Sequence, residues 1–204
     1  RQEMEASFET TGNRAAYNFA RDVNVRKAEG LTSERFIGMD FNVDYMSAVI
    51  ACMFTDGTIH YYDEIRQANS NTEAMSKEMR KRWGVHPVFP DASGKNRSTT
   101  SNRSDHQILR DNGFPIVAKT MNPAIKDRLA ALNRMLLDAK DKVKMTIDPS
   151  CIYLITDLEQ VQRDKKGGID KSNPELSHML DACSYYIEYK HPIVQRVGTS
   201  IAWN

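Results

Sequence analysis

At 204 residues the chain has single-domain size and can bury a core without disulfide or metal staples. It is 40% hydrophobic and 27% charged, ordinary for a globular domain, and its 28 basic against 27 acidic residues exclude a strong global field for nucleic acid, leaving local patches to decide. No stretch approaches the about 20 apolar residues of a membrane span, no signal-peptide pattern opens the chain, and Cys52, Cys151 and Cys183 are too far apart for a C-x-x-C zinc site and read as free buried thiols of a reducing compartment.

The chain opens on Arg1, as an excised piece does, and residues 1–33 are polar and weakly patterned. They read as an arm, with a short strand at Arg14–Ala20. Phe36–Phe41, Met46–Phe54 and Thr58–Ile65 are apolar or β-branched runs of strand length. The turn Thr55-Asp-Gly-Thr58 joins the last two into a hairpin, and the first run pairs beside them as an antiparallel meander. Asn71 or Thr72 caps a helix to Trp83, which Gly84 stops. Val85–Phe89 is a short strand ending at Pro90-Asp91. A polar loop, Ser93–Ser104, precedes a short helix at Asp105–Asp111 and a further strand at Pro115–Lys119. Pro123–Lys140 carries Ile125, Leu129, Leu132 and Leu136 at helical spacing. Met145–Ile147 is a small strand and Cys151–Gln162 a helix. Arg163–Asp170 is a charged hairpin tip, and Pro174 starts the last helix, which reaches Lys190. Three antiparallel strands followed by α/β crossovers predict an α/β fold of ribonuclease-H-like type. Its mixed sheet has three antiparallel strands then shorter parallel ones, flanked by helices, with an extra charged hairpin.

Three aspartates stand at the edges of these elements. Asp40 follows Phe36-Ile37, and Phe41 and Val43 continue the apolar pattern, so it interrupts a strand and needs a compensating partner. Asp91 lies in Pro-Asp-Ala-Ser-Gly, which serves equally as a turn or as a ligand-bearing loop. Asp181 is three residues after His178, with Tyr185 one turn on. The apolar stripe Leu176, Leu180, Cys183 and Ile187 lies on another side of the wheel, so Asp181 reads there as part of a solvated polar face. Asp44 is a candidate auxiliary acid and Glu64 reads as a strand-end surface residue. Three carboxylates at one point would suit hard divalent cations. Metal-dependent nucleases hold two such ions about 4 Å apart.

The runs Gly38-Met-Asp-Phe-Asn-Val43 with Ser47-Ala-Val49, Phe89-Pro-Asp-Ala-Ser-Gly94, and Asp157-Leu-Glu159 with Asp170-Lys171 and His178-x-x-Asp181-Ala182 follow one another in the order of a known family. Over roughly residues 34–190 the chain resembles the nuclease domain of the large terminase subunit of tailed bacteriophages. The resemblance implies a ribonuclease-H-like domain over 34–204. It implies that residues 1–33 are the arm from an absent ATPase domain, Ala6-Ser-Phe-Glu-Thr-Thr11 resembling that domain's end. It implies a metal-dependent endonuclease that cuts concatemeric double-stranded viral DNA during packaging by two-metal-ion hydrolysis, with Mg²⁺ or Mn²⁺ on Asp40, Asp91 and Asp181. Asp40 would bridge the ions, and His178 would be an auxiliary ligand or orient a water. The implied partners are the viral DNA and, through the full-length chain, the terminase small subunit and the portal protein. No membrane is involved, the isolated domain would be a monomer, and the setting would be the host-cell cytoplasm. Asp44 departs from the pattern, standing where an uncharged residue is usual. No G-x-x-x-x-G-K-[ST] occurs, so this piece is not expected to hydrolyse ATP.

Lys95, Arg97 and Arg103 follow Asp91, and Lys165 and Lys166 sit at the hairpin tip, where each would either meet DNA phosphates or line a solvated loop. Two other functions fit the same residues: a resolvase- or transposase-type nuclease of the same fold, and a non-catalytic module docking on portal or DNA.

Overall fold

The computed structural model of the protein describes residues 13–28, 30, 34–42, 44–96 and 103–193. Strands β1 (Glu34–Asp40), β2 (Tyr45–Met53) and β3 (Ile59–Ala68) form the expected antiparallel meander. β4 (Val88–Pro90) joins β1 in parallel and β5 (Met145–Ile147) joins β3 in parallel, giving a five-stranded sheet of order β4-β1-β2-β3-β5. Helix α1 (Arg21–Asn24) precedes the sheet, α2 (Thr72–Trp83) and α3 (Asp105–Asp111) follow β3 and β4, and α4 (Ile125–Leu136), α5 (Ile152–Gln160) and α6 (His178–Lys190) complete the chain.

The meander strands are continuous apolar runs because both faces are covered. Ile37, Met39, Ala48 and Ile50 point toward α2 and α3, packing with Met75, Met79 and Leu109. Phe36, Val49, Ala51 and Tyr61 point the other way, toward α4, α5 and α6. Side chains alternate along a strand, so Phe36, Gly38 and Asp40 share the α6 side. Gly38 allows the close approach there: a Cβ would stand 2.2 Å from the Ala182 carbonyl oxygen of α6. Phe36 stacks on Tyr186, and the Tyr61 hydroxyl donates to the Cys183 carbonyl at 3.0 Å.

Several sequence expectations change. Residues 14–20 form no strand: Arg14 makes one bridge to Gln162 and a turn follows. This part of the expected arm buries Ala15, Ala16 and Phe19 in the core. Asn24 seals α1 to the body, its amide donating to the carbonyls of Leu136 at 3.0 Å and Met145 at 3.1 Å. At Pro115–Lys119 a single parallel bridge, Val88 to Ile116, replaces the strand. The helix expected over Pro123–Lys140 ends at Leu136, where Leu137 turns extended. The charged tip is a hairpin closed by an Arg163–Ile169 bridge. Ala6–Thr11 lies outside the described residues.

Glu64 is the largest change. It is buried, and its carboxylate accepts from the Tyr153 amide at 2.7 Å and the Leu154 amide at 2.9 Å, capping α5. Asp157 of α5 does the same for α6, accepting from the amides of Met179 at 2.9 Å and Leu180 at 3.1 Å. Two buried carboxylates thus tie the sheet to α5 and α5 to α6, each meeting the positive end of a helix.

Candidate active site

Asp40 is the last residue of β1 rather than an interruption within it. The parallel pairing with β4 ends just before it, at Met39 and Pro90, and the Asp91 amide donates to the Met39 carbonyl at 3.1 Å. Asp40 and Asp91 therefore leave adjacent strand ends, and α6 crosses beside them with His178, Asp181 and Tyr185.

Asp40 is 7% exposed and its Oδ2 lies 3.3 Å from His178 Nδ1. Burial raises its pKa; the His178 hydrogen bond opposes that, and the charges of Asp181 and Asp91 add to it. The three carboxylates are thus close enough to feel one another. His178 turns its other ring nitrogen, Nε2, to the Pro174 carbonyl at 2.9 Å. Both nitrogens face oxygens, and the imidazolium can donate to both. Burial disfavours that cation, but the bonds to Asp40 and Pro174 outweigh it and the pKa is raised.

Asp91 is the N-cap of a 3-10 turn, Ala92–Lys95. Its Oδ1 accepts from the Ser93 amide and from Asn122 Nδ2, each at 2.6 Å, and its Oδ2 accepts from the Tyr185 hydroxyl at 3.0 Å. Burial pushes its pKa up, but bonds from Asn122, Ser93 and Tyr185 win and hold it below the usual value. His106 bonds the Asp91 carbonyl at 2.8 Å, and Gly94 lets this turn lie against Phe41 and His106.

Asp181 is 6% exposed, not part of a solvated face. The wheel misleads because α6 packs on β1, β2, β4, α4 and α5 together, so residues from His178 to Glu188 are all buried. Two cations meet its carboxylate. Arg128 Nη1 of α4 binds Oδ1 at 2.9 Å, and Lys171 Nζ binds Oδ2 at 2.9 Å. Arg128 also donates to Ser184 Oγ at 2.8 Å and lies 4.6 Å over the Tyr185 ring. A chain of contacts therefore runs from Asp181 through Arg128 and Tyr185 to Asp91.

Sequence reasoning missed Arg128, Lys171 and Asn122 as parts of this cluster. Arg128 had a signal: it shares a helix face with Ala131 and Met135, both buried. Lys171 lies in a loop, and its only signal was its place in the Asp170-Lys171 run; Asn122 lies in a loop and had none.

Asp44 is exposed at the β1–β2 turn, its amide held by Asn42 Oδ1 at 2.9 Å. Lys95 donates to the Thr120 carbonyl and Arg103 pairs with Asp111 at 3.1 Å. Lys165 and Lys166 are exposed at the hairpin tip, and Arg97 lies outside the described residues.

Among the described residues no three His, Cys, Asp or Glu side chains stand in an arrangement that grips one ion. The donor set nevertheless fits a hard divalent cation. It offers three carboxylates, Asp40 within electrostatic reach of Asp91 and Asp181, all oxygen donors, and of the two cations on Asp181 one, Lys171, is half-exposed. No described helix is long and apolar enough to cross a membrane. The three cysteines are free and buried.

The terminase RNaseH-like domain family matches residues 37–190. Among solved structures, the nuclease domain of the P22 large terminase is similar with a TM-score of 0.67 and 13% identity, over 87% of this chain and 93% of that one. The nuclease domain of the large terminase from bacteriophage SPP1, a structure with bound Mn, gives 0.55 and 17%, over 82% of this chain and 97% of that one. The HK97 bacteriophage large terminase gives 0.52 and 13%, over 83% of this chain but 42% of that one. At these identities the structural likeness is one of fold. No curated protein matches the sequence significantly.

Proposed function

The chain belongs to the terminase RNaseH-like domain family, and from that premise we propose that it is a metal-dependent endonuclease cutting double-stranded viral DNA during genome packaging. The observation that carries the reading is the meeting of Asp40, Asp91 and Asp181 where β1, β4 and α6 converge. Asp40, Asp91 and Asp181 would hold Mg²⁺ or Mn²⁺. When bound, such ions supply Lewis acidity at the phosphoryl group and acidify water at neutral pH. The protein's own groups set the ligands in place: His178 orients Asp40, Tyr185 and Asn122 orient Asp91, and Arg128 anchors Asp181. Lys165 and Lys166, exposed at the hairpin tip, would meet DNA phosphates, as would Lys95, Arg97 and Arg103, which follow Asp91 in the sequence. Residues 1–33 would lead from an ATPase domain, and small-subunit and portal contacts would belong to the longer protein, acting in the host cytoplasm.

The test is cleavage of plasmid DNA by the wild type and Asp40→Asn in Mg²⁺, Mn²⁺ or EDTA. Cleavage by the wild type alone, abolished by EDTA, is expected. Cleavage that survives the substitution or the chelator sinks the reading. The double ion pairing of Asp181 favours one other reading, a docking module whose acids are structural. A thermal midpoint unmoved by millimolar Mn²⁺ supports that alternative, because an ion bound only by the folded state must stabilise it.

A further inference from the structure

The two cations on Asp181 differ in kind. Arg128 is 6% exposed, also bonded to Ser184, and lies over the Tyr185 ring. Withdrawing it would strand a guanidinium in the core, at a cost of several kcal/mol. The Lys171 side chain is 54% exposed and comes from the loop between the hairpin and α6. Withdrawing it returns an ammonium to water at almost no cost. Its second anchor is the Ser177 hydroxyl, 2.6 Å away, a neutral group that holds no charge back. Oδ1 of Asp181 is therefore committed to the fold, while Oδ2 is exchangeable.

An ammonium and a divalent ion cannot share Oδ2. They repel, and at a few ångströms that repulsion exceeds what a half-exposed ion pair contributes. We propose that Lys171 is a placeholder for the divalent cation: it neutralises Asp181 in the free protein and gives up Oδ2 when the ion enters, leaving Asp181 to ligate through that one oxygen. The proposal rests on the reading of the aspartates as metal ligands. It makes Lys171 a competitor that lowers metal affinity until its ammonium finds another anion. The segment that carries it continues from the hairpin bearing Lys165 and Lys166, so a DNA phosphate near that tip is the natural acceptor. Metal and DNA would then each raise the affinity for the other, by the same factor.

Calorimetric titration with Mn²⁺, without DNA, tests this on the wild type, Lys171→Met, Lys171→Gln and Lys171→Arg. Both neutral variants should bind Mn²⁺ roughly three- to tenfold more tightly than the wild type. Lys171→Arg should show no gain, and adding Asp181→Asn to Lys171→Met should erase it, since the coupling runs through that pair. The thermal midpoint should rise more with Mn²⁺ in the neutral variants than in the wild type. Equal or weaker Mn²⁺ binding by both neutral variants overturns the proposal while leaving the nuclease reading intact. No Mn²⁺ binding by any of the proteins overturns the nuclease reading, and the proposal with it.

Discussion

Asp40 and Asp181 are held by one kind of force and Asp91 by another. The first two stand on β1 and α6, elements pressed together across Gly38 and stacked through Phe36 and Tyr186. Asp91 stands on a turn kept in place by hydrogen bonds from Asn122, Ser93 and Tyr185, with Asn122 exposed. The seam cannot move without opening the core, whereas the turn can shift by exchanging hydrogen bonds with water. A metal site needs both. Ligand positions must be good to about half an ångström, yet some ligand must adjust as the ion enters.

The largest expected effect comes from breaking the seam electrostatically. Arg128→Leu leaves Asp181 with its half-exposed partner alone and should cost about 3–5 kcal/mol in urea unfolding in EDTA. A loss below 1 kcal/mol would show that the buried pair does not hold α4 to α6. Breaking the seam sterically should cost somewhat less. Gly38→Ala forces a methyl against the Ala182 carbonyl, so α6 must retreat, at about 2–3 kcal/mol. Its Mn²⁺-induced rise in thermal midpoint should fall with it. An unchanged rise would mean that the Asp40–Asp181 approach does not matter to the ion.

Next comes the cap that anchors the seam from behind. Burial raises the Glu64 pKa to about 7 from 4.5, against the opposing amides of Tyr153 and Leu154. Between those values the folded protein keeps a proton that the unfolded chain has released. Stability from this group therefore falls as pH rises through that window, with the loss complete above about 7. Glu64→Gln does not titrate. The stability of the wild type relative to this variant should drop by about 1–3 kcal/mol between pH 5 and pH 8. Denaturation curves at the two pH values check it, and a difference that grows instead reverses the sign of the argument.

The turn should respond least in stability. Tyr185→Phe removes one hydrogen bond to Asp91 and Asn122→Ala another, each at about 0.5–1.5 kcal/mol. Both should raise the Asp91 pKa, because the bonds that hold it down are lost. Carboxylate titration followed by NMR in the metal-free protein reads this directly. A pKa left in place would assign Asp91 to the packed half of the site.

The sheet was legible because its signals are local. Apolar runs of strand length and the Asp56-Gly57 turn place β1, β2 and β3 within a residue or a few of their observed bounds. Asn71 caps α2 as its residue type predicts, accepting from the Ala74 amide at 2.9 Å. Pro115–Lys119 failed as a strand because β-propensity does not supply a full partner: pairing stops at one bridge, with Val88 donating to the Pro115 carbonyl at 2.8 Å and accepting from the Val117 amide at 2.9 Å. The site was legible as residue types but not as an arrangement. Asp181 and Glu64 both looked exposed, since a wheel or an alternation pattern counts the neighbours on one element and not those packed against it.

The sequence by itself determined the antiparallel meander, the α/β order that follows it, and which aspartates are available, because hydrophobic period, turn chemistry and caps are set within a few residues. Only the tertiary structure decided what those aspartates face. Burial and charge pairing depend on residues far apart in the chain: Glu64 against Tyr153 and Leu154, Asp157 against Met179 and Leu180, Arg128 on Asp181. The pairings on α6 need that helix seated against Gly38, and no window of the sequence contains both.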